Sequence, residues 1–250
     1  MANKMRIETD NAPASTGHRS NAMIAAGILF TGGHIGGPLG KPGEHLPPAE
    51  TLEEQVDWCL RHTEQLMIAG GATKERTVEI SAFMVPWERR TVVRERTRAF
   101  LGFDPPLYHE LPVADCAAHA WLEMDGIAVA DPCLKVEDVA NIMEPFGHGQ
   151  GLVRSGPLVF INGLTAPGHT LGEQSTNLLR EAARQLEGAG SALANLVKLT
   201  VFLAEFDIYP EFNEATKVAF ASFEPPTRSV LVAPEITGNS LLRVDMVALA

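Results

Sequence analysis

The sequence has 250 residues, of which 45% are hydrophobic, and it carries a formal net charge of −11. This length and composition suit two domains of ordinary size, and the negative charge disfavours nucleic acid or an anionic membrane surface as a partner. No apolar run is long enough to cross a bilayer. Residues 1–16 lack the apolar segment of a secretory signal, and the three cysteines show no Cys-x-x-Cys spacing. We therefore expect a cytoplasmic protein with reduced thiols.

The first half predicts strands and helices in alternation. Residues 1–16 are expected to be a mobile leader, and the Gly/Pro-rich stretch 36–48 a loop. Hydrophobic periodicity and β-propensity predict a strand hairpin over 23–31, helices over 52–69 and 91–100, and strands at 78–83, 111–113 and 120–130.

The second half predicts the same order of elements. Its periodicity indicates a strand at 158–164, helices at 173–187 and 210–220, and strands at 196–203, 228–232 and 241–249. An acidic linker, 131–146, separates the halves. The order β-β-α-β-α-β-β predicts an α+β fold in which two helices pack on one face of a mixed sheet.

The two halves also share sequence. Thr-Leu-x-Glu-Gln occurs at 51–55 and again at 170–174, residues 72–83 align with 191–202, and a Pro-Pro pair at 105–106 returns at 225–226. A repeat of about 120 residues is domain-sized and too long for a solenoid unit. We interpret the chain as a duplicated domain, with copy 1 at 17–130 and copy 2 at 147–250.

Three segments of copy 2 resemble the reactive-intermediate deaminase (RidA/YjgF) family. They are Leu-Val-Lys-Leu-Thr-Val-Phe-Leu at 196–203, Phe-Asn-Glu at 212–214 and Pro-Pro-Thr-Arg-Ser at 225–229. The resemblance implies two chorismate-mutase-like α+β units in tandem. It also implies hydrolysis of enamines and imines, and ligand clefts between neighbouring units of a ring, usually a trimer. Copy 1 resembles the family because it shares the repeated segments with copy 2.

The resemblance divides the expected catalytic groups between the copies. Arg228 matches the family's substrate arginine, whose planar fork would grip a carboxylate. The family places an acid fifteen residues later, where copy 2 has Arg243 and copy 1, which has Tyr108 in place of the arginine, has Glu123. The resemblance further implies that Asn213 lines the cleft and that the backbone at Asn162 and Gly163 approaches the substrate.

Other family features are missing. The aromatic hydroxyl expected near the start of the unit is absent, and Arg19 stands near its position in copy 1. The cysteine expected two residues after the arginine is replaced by Val230 in copy 2 and by Glu110 in copy 1.

Three hypotheses follow for these residues. Glu123 and Arg228 could complete one composite site, Arg228 and Arg243 could form a two-cation pocket, or both clefts could have lost the parent activity. An ordinary structural role for Arg228 would be an ion pair with Glu224.

We expect a hydrolase or deaminase that acts on small carboxylate-bearing imine or enamine intermediates. Arg228 and Glu123 would be its catalytic residues, and Arg243, Asn162, Gly163 and Asn213 would bind substrate. The alternatives are a pathway-specific enzyme of the same fold that acts on another carboxylic acid, and a non-catalytic binding or scaffold protein. No cofactor is implied, and the histidine spacing indicates no metal site.

For the assembly, family habit favours a homotrimer of two stacked rings, each built from like copies. The alternative is a chain that pairs its own two units.

Overall fold

The computed structural model describes residues 4–15, 17–40, 46–236 and 238–250. Two mixed sheets carry the fold. The first has the order β1-β2-β3-β8-β5-β6, with β4 also paired to β8, and the second has the order β7-β12-β11-β13-β10-β9. The strands are β1 (Lys4–Ile7), β2 (Ala22–Ala25), β3 (Ile28–Thr31), β4 (His34–Ile35), β5 (Thr77–Met84), β6 (Leu107–Pro112), β7 (Asp115–Cys116), β8 (Leu122–Val129), β9 (Gly151–Ser155), β10 (Leu158–Leu164), β11 (Leu196–Leu203), β12 (Thr227–Val232) and β13 (Leu242–Leu249).

Two helices pack on the outer face of each sheet, which confirms the predicted fold class. Helices α1 (Leu52–Ala69) and α2 (Arg90–Leu101) share a core with the first sheet. Helices α4 (Leu171–Gly188) and α5 (Tyr209–Ala219) share a core with the second. The linker contains helix α3 (Val136–Met143), which packs against the inner faces of both sheets.

The repeated Thr-Leu-x-Glu-Gln motif has the same structural role in both copies. Thr51 caps α1 by accepting a hydrogen bond from the Glu54 amide, and Thr170 caps α4 in the same way. The glutamine of each motif is buried and bonded to backbone on both sides. Gln55 donates to Ala49 O and accepts from the Trp121 amide. Gln174 donates to Gly168 O and accepts from the Leu241 amide.

Three local expectations differ from the structure. The expectation of a mobile leader is wrong for residues 4–7, because they form β1 and pair antiparallel with β2. Strands β7 and β9 have too few apolar residues to be found by pattern. Between the predicted hairpin and the predicted loop, His34–Ile35 forms a short strand on β8 that was not expected. The boundaries 17–130, 131–146 and 147–250 stay predictions.

The inner faces of the two sheets pack on each other, so one chain pairs its own two copies. Their apolar contact includes Phe30 and Val78 of copy 1 with Phe160 and Val197 of copy 2. The first copy also covers β12, the edge strand that carries Arg228, because β7 pairs with its end and Ser20 bridges its start. This contact corresponds to the alternative assembly, in which one chain pairs its own two units. It differs from the stacked rings, in which each copy would contact a like copy of another chain. The oligomeric state in solution stays a prediction.

A buried ion pair joins the two copies at the centre of this contact. Lys198 Nζ lies 2.7 Å from Asp125 Oδ2, and neither side chain is exposed. Asp125 Oδ2 also accepts from Ser229 Oγ at 2.5 Å, and Lys198 donates to Thr31 O at 3.1 Å. Ser229 neighbours Arg228 on β12, so this network fixes the position of that strand against copy 1.

Candidate functional site

A cavity of about 390 Å³ lies where β12 meets copy 1. Charged and polar side chains from both copies line it, which makes it the best candidate for a composite site. Copy 1 contributes Arg19, Gly33, His34, His119 and Glu123, and copy 2 contributes Phe206, Asp207, Tyr209 and Val230.

Glu123 is brought to this cavity by β8. Its side chain is 4% exposed, and its Oε1 accepts a hydrogen bond of 3.2 Å from the amide of Val230 on β12. Burial raises the pKa of Glu123 to about 7, while the nearby Arg19 guanidinium opposes that rise. Gly33 permits this approach, because a Cβ there would collide with the Glu123 carboxylate. An acid with such a pKa can exchange protons near neutral pH.

Arg228 lies beside the cavity but is covered. It is 1% exposed, and it is absent from the described residues that line the cavity. Its Nη2 donates to the Tyr209 hydroxyl at 2.6 Å and to Asn213 Oδ1 at 3.0 Å, and its Nη1 donates to Thr216 at 3.2 Å. The guanidinium therefore has neutral partners, and Tyr209 is the one that reaches the cavity.

No described carboxylate forms an ion pair with Arg228, so the alternative of a bond to Glu224 is wrong. Glu224 lies instead 3.5 Å from Arg6. Burial lowers the pKa of Arg228 to about 10, so it remains a cation at neutral pH. A cation buried among neutral groups is costly unless other interactions compensate for it.

Beside Arg228, the neighbouring backbone groups come from copy 1 and not from Asn162 and Gly163. The Gly33 amide donates to Arg228 O at 3.2 Å. Asn162 is distant from this strand, and it binds the linker through Pro145 O, His148 O and the Gly147 amide. Gly163 donates its amide to Asp245 at 2.6 Å and lines a different cavity, the one that contains Arg243.

The structure does not bring Arg228 and Arg243 together. Arg228 lies opposite Leu199 and Arg243 opposite Phe202, and these two positions on β11 are an odd number of residues apart. Their side chains therefore point to opposite faces of the sheet. Arg243 stacks on Phe202, 4.2 Å from the ring centroid, and lies 3.6 Å from Asp245. A two-cation pocket is thus absent from this arrangement.

Two residues that were expected at the site lie close to Arg228. Asn213 bonds to Arg228 itself, and Glu123 bonds to its strand. Besides accepting from Arg228, Asn213 accepts from the His18 amide at 3.2 Å and so holds the start of copy 1 over α5. Its role in the structure is to position these groups rather than to face the cavity.

Three cavity residues were missed by reasoning from sequence. Arg19 donates to Gly33 O at 3.1 Å and to Arg228 O at 2.8 Å. Burial, and then the charge of Arg19, hold the pKa of His34 well below its usual range, and no described residue forms a hydrogen bond with its buried Nε2. Tyr209 supplies an aromatic hydroxyl from a part of the chain where the family pattern does not place one. Only Arg19 had a signal, its position near that of the missing aromatic hydroxyl.

Within the described ranges, no group of three or more His, Cys, Asp or Glu residues could hold a metal ion. No described helix has the length and apolar character needed to cross a membrane.

Comparisons with known proteins match about half of the chain or less. The family model described as endoribonuclease L-PSP matches residues 144–250. A 2-iminobutanoate/2-iminopropanoate deaminase of Dermatophagoides farinae is 24% identical over 112 residues, which cover 42% of this chain and 87% of the relative. The mitochondrial protein mmf2 of Schizosaccharomyces pombe is 34% identical over 95 residues, which cover 35% of this chain and 74% of the relative.

Solved structures match about half of the chain. The Rid-family protein YyfA of Yersinia pestis has a TM-score of 0.47 and 25% identity, and covers 51% of this chain and 99% of its own. The E. coli protein TdcF with bound serine has a TM-score of 0.46 and 22% identity, with the same coverage. From the mmf2 similarity, the family model and the motifs of copy 2, this chain belongs to the RidA/YjgF family, also described as L-PSP.

Proposed function

We propose that the chain hydrolyses the C=N bond of a small carboxylate-bearing imine, or of the enamine that tautomerises to it, in the cavity between its copies. The observation that carries this proposal is that Glu123 of copy 1 meets the Arg228 strand of copy 2 at one cavity. The similarity to an iminobutanoate deaminase supports the same reaction type.

Glu123 would be the general acid–base. Water adds to the C=N carbon and gives up a proton to the carboxylate, which returns it to the nitrogen. The C–N bond of the carbinolamine then breaks, and the products are an oxo acid and ammonia. A pKa of about 7 leaves both forms of Glu123 populated near neutral pH, as this exchange requires. Such a reaction needs mainly binding, orientation and proton transfer, so no cofactor is invoked.

Arg19 is the cation best placed to hold the substrate carboxylate, because its side chain lines the cavity. Its Nη1 is engaged with two backbone carbonyls, and these bonds orient the guanidinium plane. A fixed guanidinium binds a carboxylate with geometric specificity. His34 would add a hydrogen bond through its Nε2, which has no partner among the described residues.

Arg228 would act through Tyr209. Because Arg228 donates to the Tyr209 oxygen, that hydroxyl has its own proton left for an acceptor elsewhere. Tyr209 lines the cavity, so a substrate oxygen or nitrogen can be that acceptor. Arg228 is then a positioning residue. The direct grip expected from the family would require Tyr209 to move aside.

Specific observations also support the two alternative functions. A cavity of about 390 Å³ lies within the range of pockets for drug-sized ligands, roughly 300–1,000 Å³. It therefore also suits a pathway-specific enzyme that acts on a larger acid. The covered Arg228 favours the second alternative, a protein that binds carboxylates without turnover.

The test is the consumption of 2-iminobutyrate generated in situ, followed with and without the full chain. We expect acceleration by the wild type, and a loss of 10²-fold or more in Glu123→Gln, in line with general acid–base contributions. Glu181→Gln, an exposed change of the same kind on α4, is the matched control. An unaccelerated wild type would exclude the deaminase, and thermal stabilisation by carboxylates without turnover would then select the binding protein.

Tyr209→Phe separates the two roles of Arg228. If Arg228 acts through Tyr209, Tyr209→Phe and Arg228→Met lose similar activity. If Arg228 grips the substrate itself, Tyr209→Phe retains activity while Arg228→Met loses it.

A further inference from the structure

A second buried acid lies beside Glu123 on the same strand. Asp125 follows it by two residues on β8, so both side chains point to one face of the sheet. Copy 2 covers that face, and Glu123 is 4% exposed while Asp125 is 0% exposed. Residues in this relation are about 7 Å apart along a strand. In a buried setting, the charge of one acid at that distance affects the ionisation of the other.

Copy 2 contacts both acids through adjacent residues of β12. The Ser229 hydroxyl donates to Asp125 Oδ2 at 2.5 Å. The next amide along the strand, that of Val230, donates to Glu123 Oε1 at 3.2 Å. A Cβ placed on Gly33 would collide with Glu123 Oε1 and would lie 2.9 Å from Ser229 Oγ, so these two oxygens are near neighbours. One serine hydroxyl therefore lies beside Glu123 and also binds Asp125.

Lys198 of copy 2 keeps Asp125 in its ionised form. Its Nζ lies 2.7 Å from Asp125 Oδ2, and neither side chain is exposed. A carboxylate buried without such a cation would bind a proton and become neutral. Asp125 is thus a negative charge that depends on the packing of copy 2 against copy 1. A negative charge disfavours ionisation of a neighbouring acid, and so Glu123 holds its proton more tightly.

The other charges nearby are few. Burial is the largest cause of the raised pKa of Glu123, and Asp125 adds to the rise. Arg19 and Lys198 oppose it, and the effect of Lys198 is smaller than that of Asp125. Glu79 on β5 lies near the Asp125–Lys198 pair, and burial raises its pKa to about 7. The remaining titratable side chains against Glu123 come from other elements: His34, Cys59, Cys116, His119, Asp207 and Tyr209.

We propose that Asp125 is a positioning residue for the hydrolysis, which acts by strengthening the hold of Glu123 on its proton. Lys198 and Ser229 of copy 2 keep Asp125 ionised and in place. This role rests on the proposed function of Glu123. It adds that the contact between the copies sets the proton affinity of the reaction site, besides forming the cavity.

Two variants test this role. They are Asp125→Asn, and Asp125→Asn combined with Lys198→Met, which removes both charges with little change in volume. The first measurement is the pH midpoint of imine hydrolysis. The second is the ionisation of Glu123 itself, followed by NMR of the full chain labelled with ¹³C at the glutamate carboxyl carbon. Glu123→Gln and Glu79→Gln identify the two signals that titrate near pH 7.

We expect the midpoint of Glu123 to fall by about one pH unit or more in Asp125→Asn. It should fall by less in the double variant, because that variant also lacks the opposing charge of Lys198. Lys217→Met, which removes an exposed cation on α5, should leave the midpoint unchanged. A residue with only a structural role would lower the rate without moving the midpoint.

The double variant keeps the test decisive if Asp125→Asn fails to fold, because it leaves no unpaired charge. An unchanged or raised midpoint in the double variant would overturn the role of Asp125. A fall confined to Asp125→Asn would assign the effect to an unpaired Lys198 and would overturn it too. A wild type without turnover would refute the hydrolysis, whereas the NMR midpoints would still decide whether Asp125 acts on Glu123.

Discussion

Replacing Lys198 with methionine should destabilise the chain strongly, because it leaves Asp125 as an unpaired charge between the two sheets. Methionine has nearly the shape of the lysine stem, so the change removes the ammonium with little change in packing. The pair is 2.7 Å long and both side chains are unexposed. Asp125 would keep its bond from Ser229, which is neutral, and Thr31 O would lose its lysine donor.

The magnitude follows from the distance and the burial. At 2.7 Å and an effective dielectric constant near 20, the attraction is about 6 kcal/mol. Desolvation of the two ions offsets much of it, so breaking one partner of such a pair costs about 3–5 kcal/mol, while removing both costs far less. We therefore expect about 3–5 kcal/mol for Lys198→Met and about 0–2 kcal/mol for Lys198→Met with Asp125→Asn. The surface pair Arg184–Glu181 should contribute far less, because solvent screens it.

The assay is urea unfolding at pH 8 of the wild type, both single variants and the double variant. The three tryptophans all lie in copy 1, so fluorescence follows that copy while circular dichroism follows both. Arg184→Gln is the surface control. A loss below 1 kcal/mol at pH 8, or additive single variants, would refute the idea that this pair joins the copies.

Three further outcomes are expected. The rate of imine hydrolysis should rise with pH through a midpoint near 7, where the base form of Glu123 appears, and a flat profile would exclude that base. Burial also raises the pKa of Glu79 to about 7 from 4.5. Its contribution to stability is therefore complete below pH 4.5 and falls by about 3 kcal/mol as pH rises through 7. Glu79→Gln should reduce this fall in urea titrations, and the exposed Glu181→Gln should not. Light scattering should give a mass near 27.0 kDa if one chain completes its own cleft, whereas three times that mass would support the trimer.

The helices and most strands could be predicted because their signals are local. Thr51 caps α1 and Thr170 caps α4, and apolar residues at helical spacing follow each cap. These signals lie close together in the sequence and therefore predict each helix. Strand β1 could not be predicted in this way. Its four residues are too few for a strong pattern, and it forms because β2 offers an open edge to pair with.

The site was predicted only in part. The composite hypothesis anticipated that Glu123 reaches the strand of Arg228, and the structure places the Glu123 carboxylate on the Val230 amide. The assignment of Asn162 followed the repeat within copy 2, yet the groups beside Arg228 come from copy 1. The packing of the two duplicated units decides which residues meet at the cleft between them. A motif within one unit does not indicate how that unit packs on the other.

The sequence by itself determined the duplication, the family and the separation of an arginine in one copy from an acid in the other. Each of these is a property of residue identity and spacing along the chain. Only the tertiary structure decided that the arginine is covered by Tyr209 and that Arg19 and His34 face the cavity. The cavity forms through contacts between residues more than a hundred positions apart, such as Arg19 with Arg228 and Glu123 with Val230, and no local pattern of sequence records such contacts.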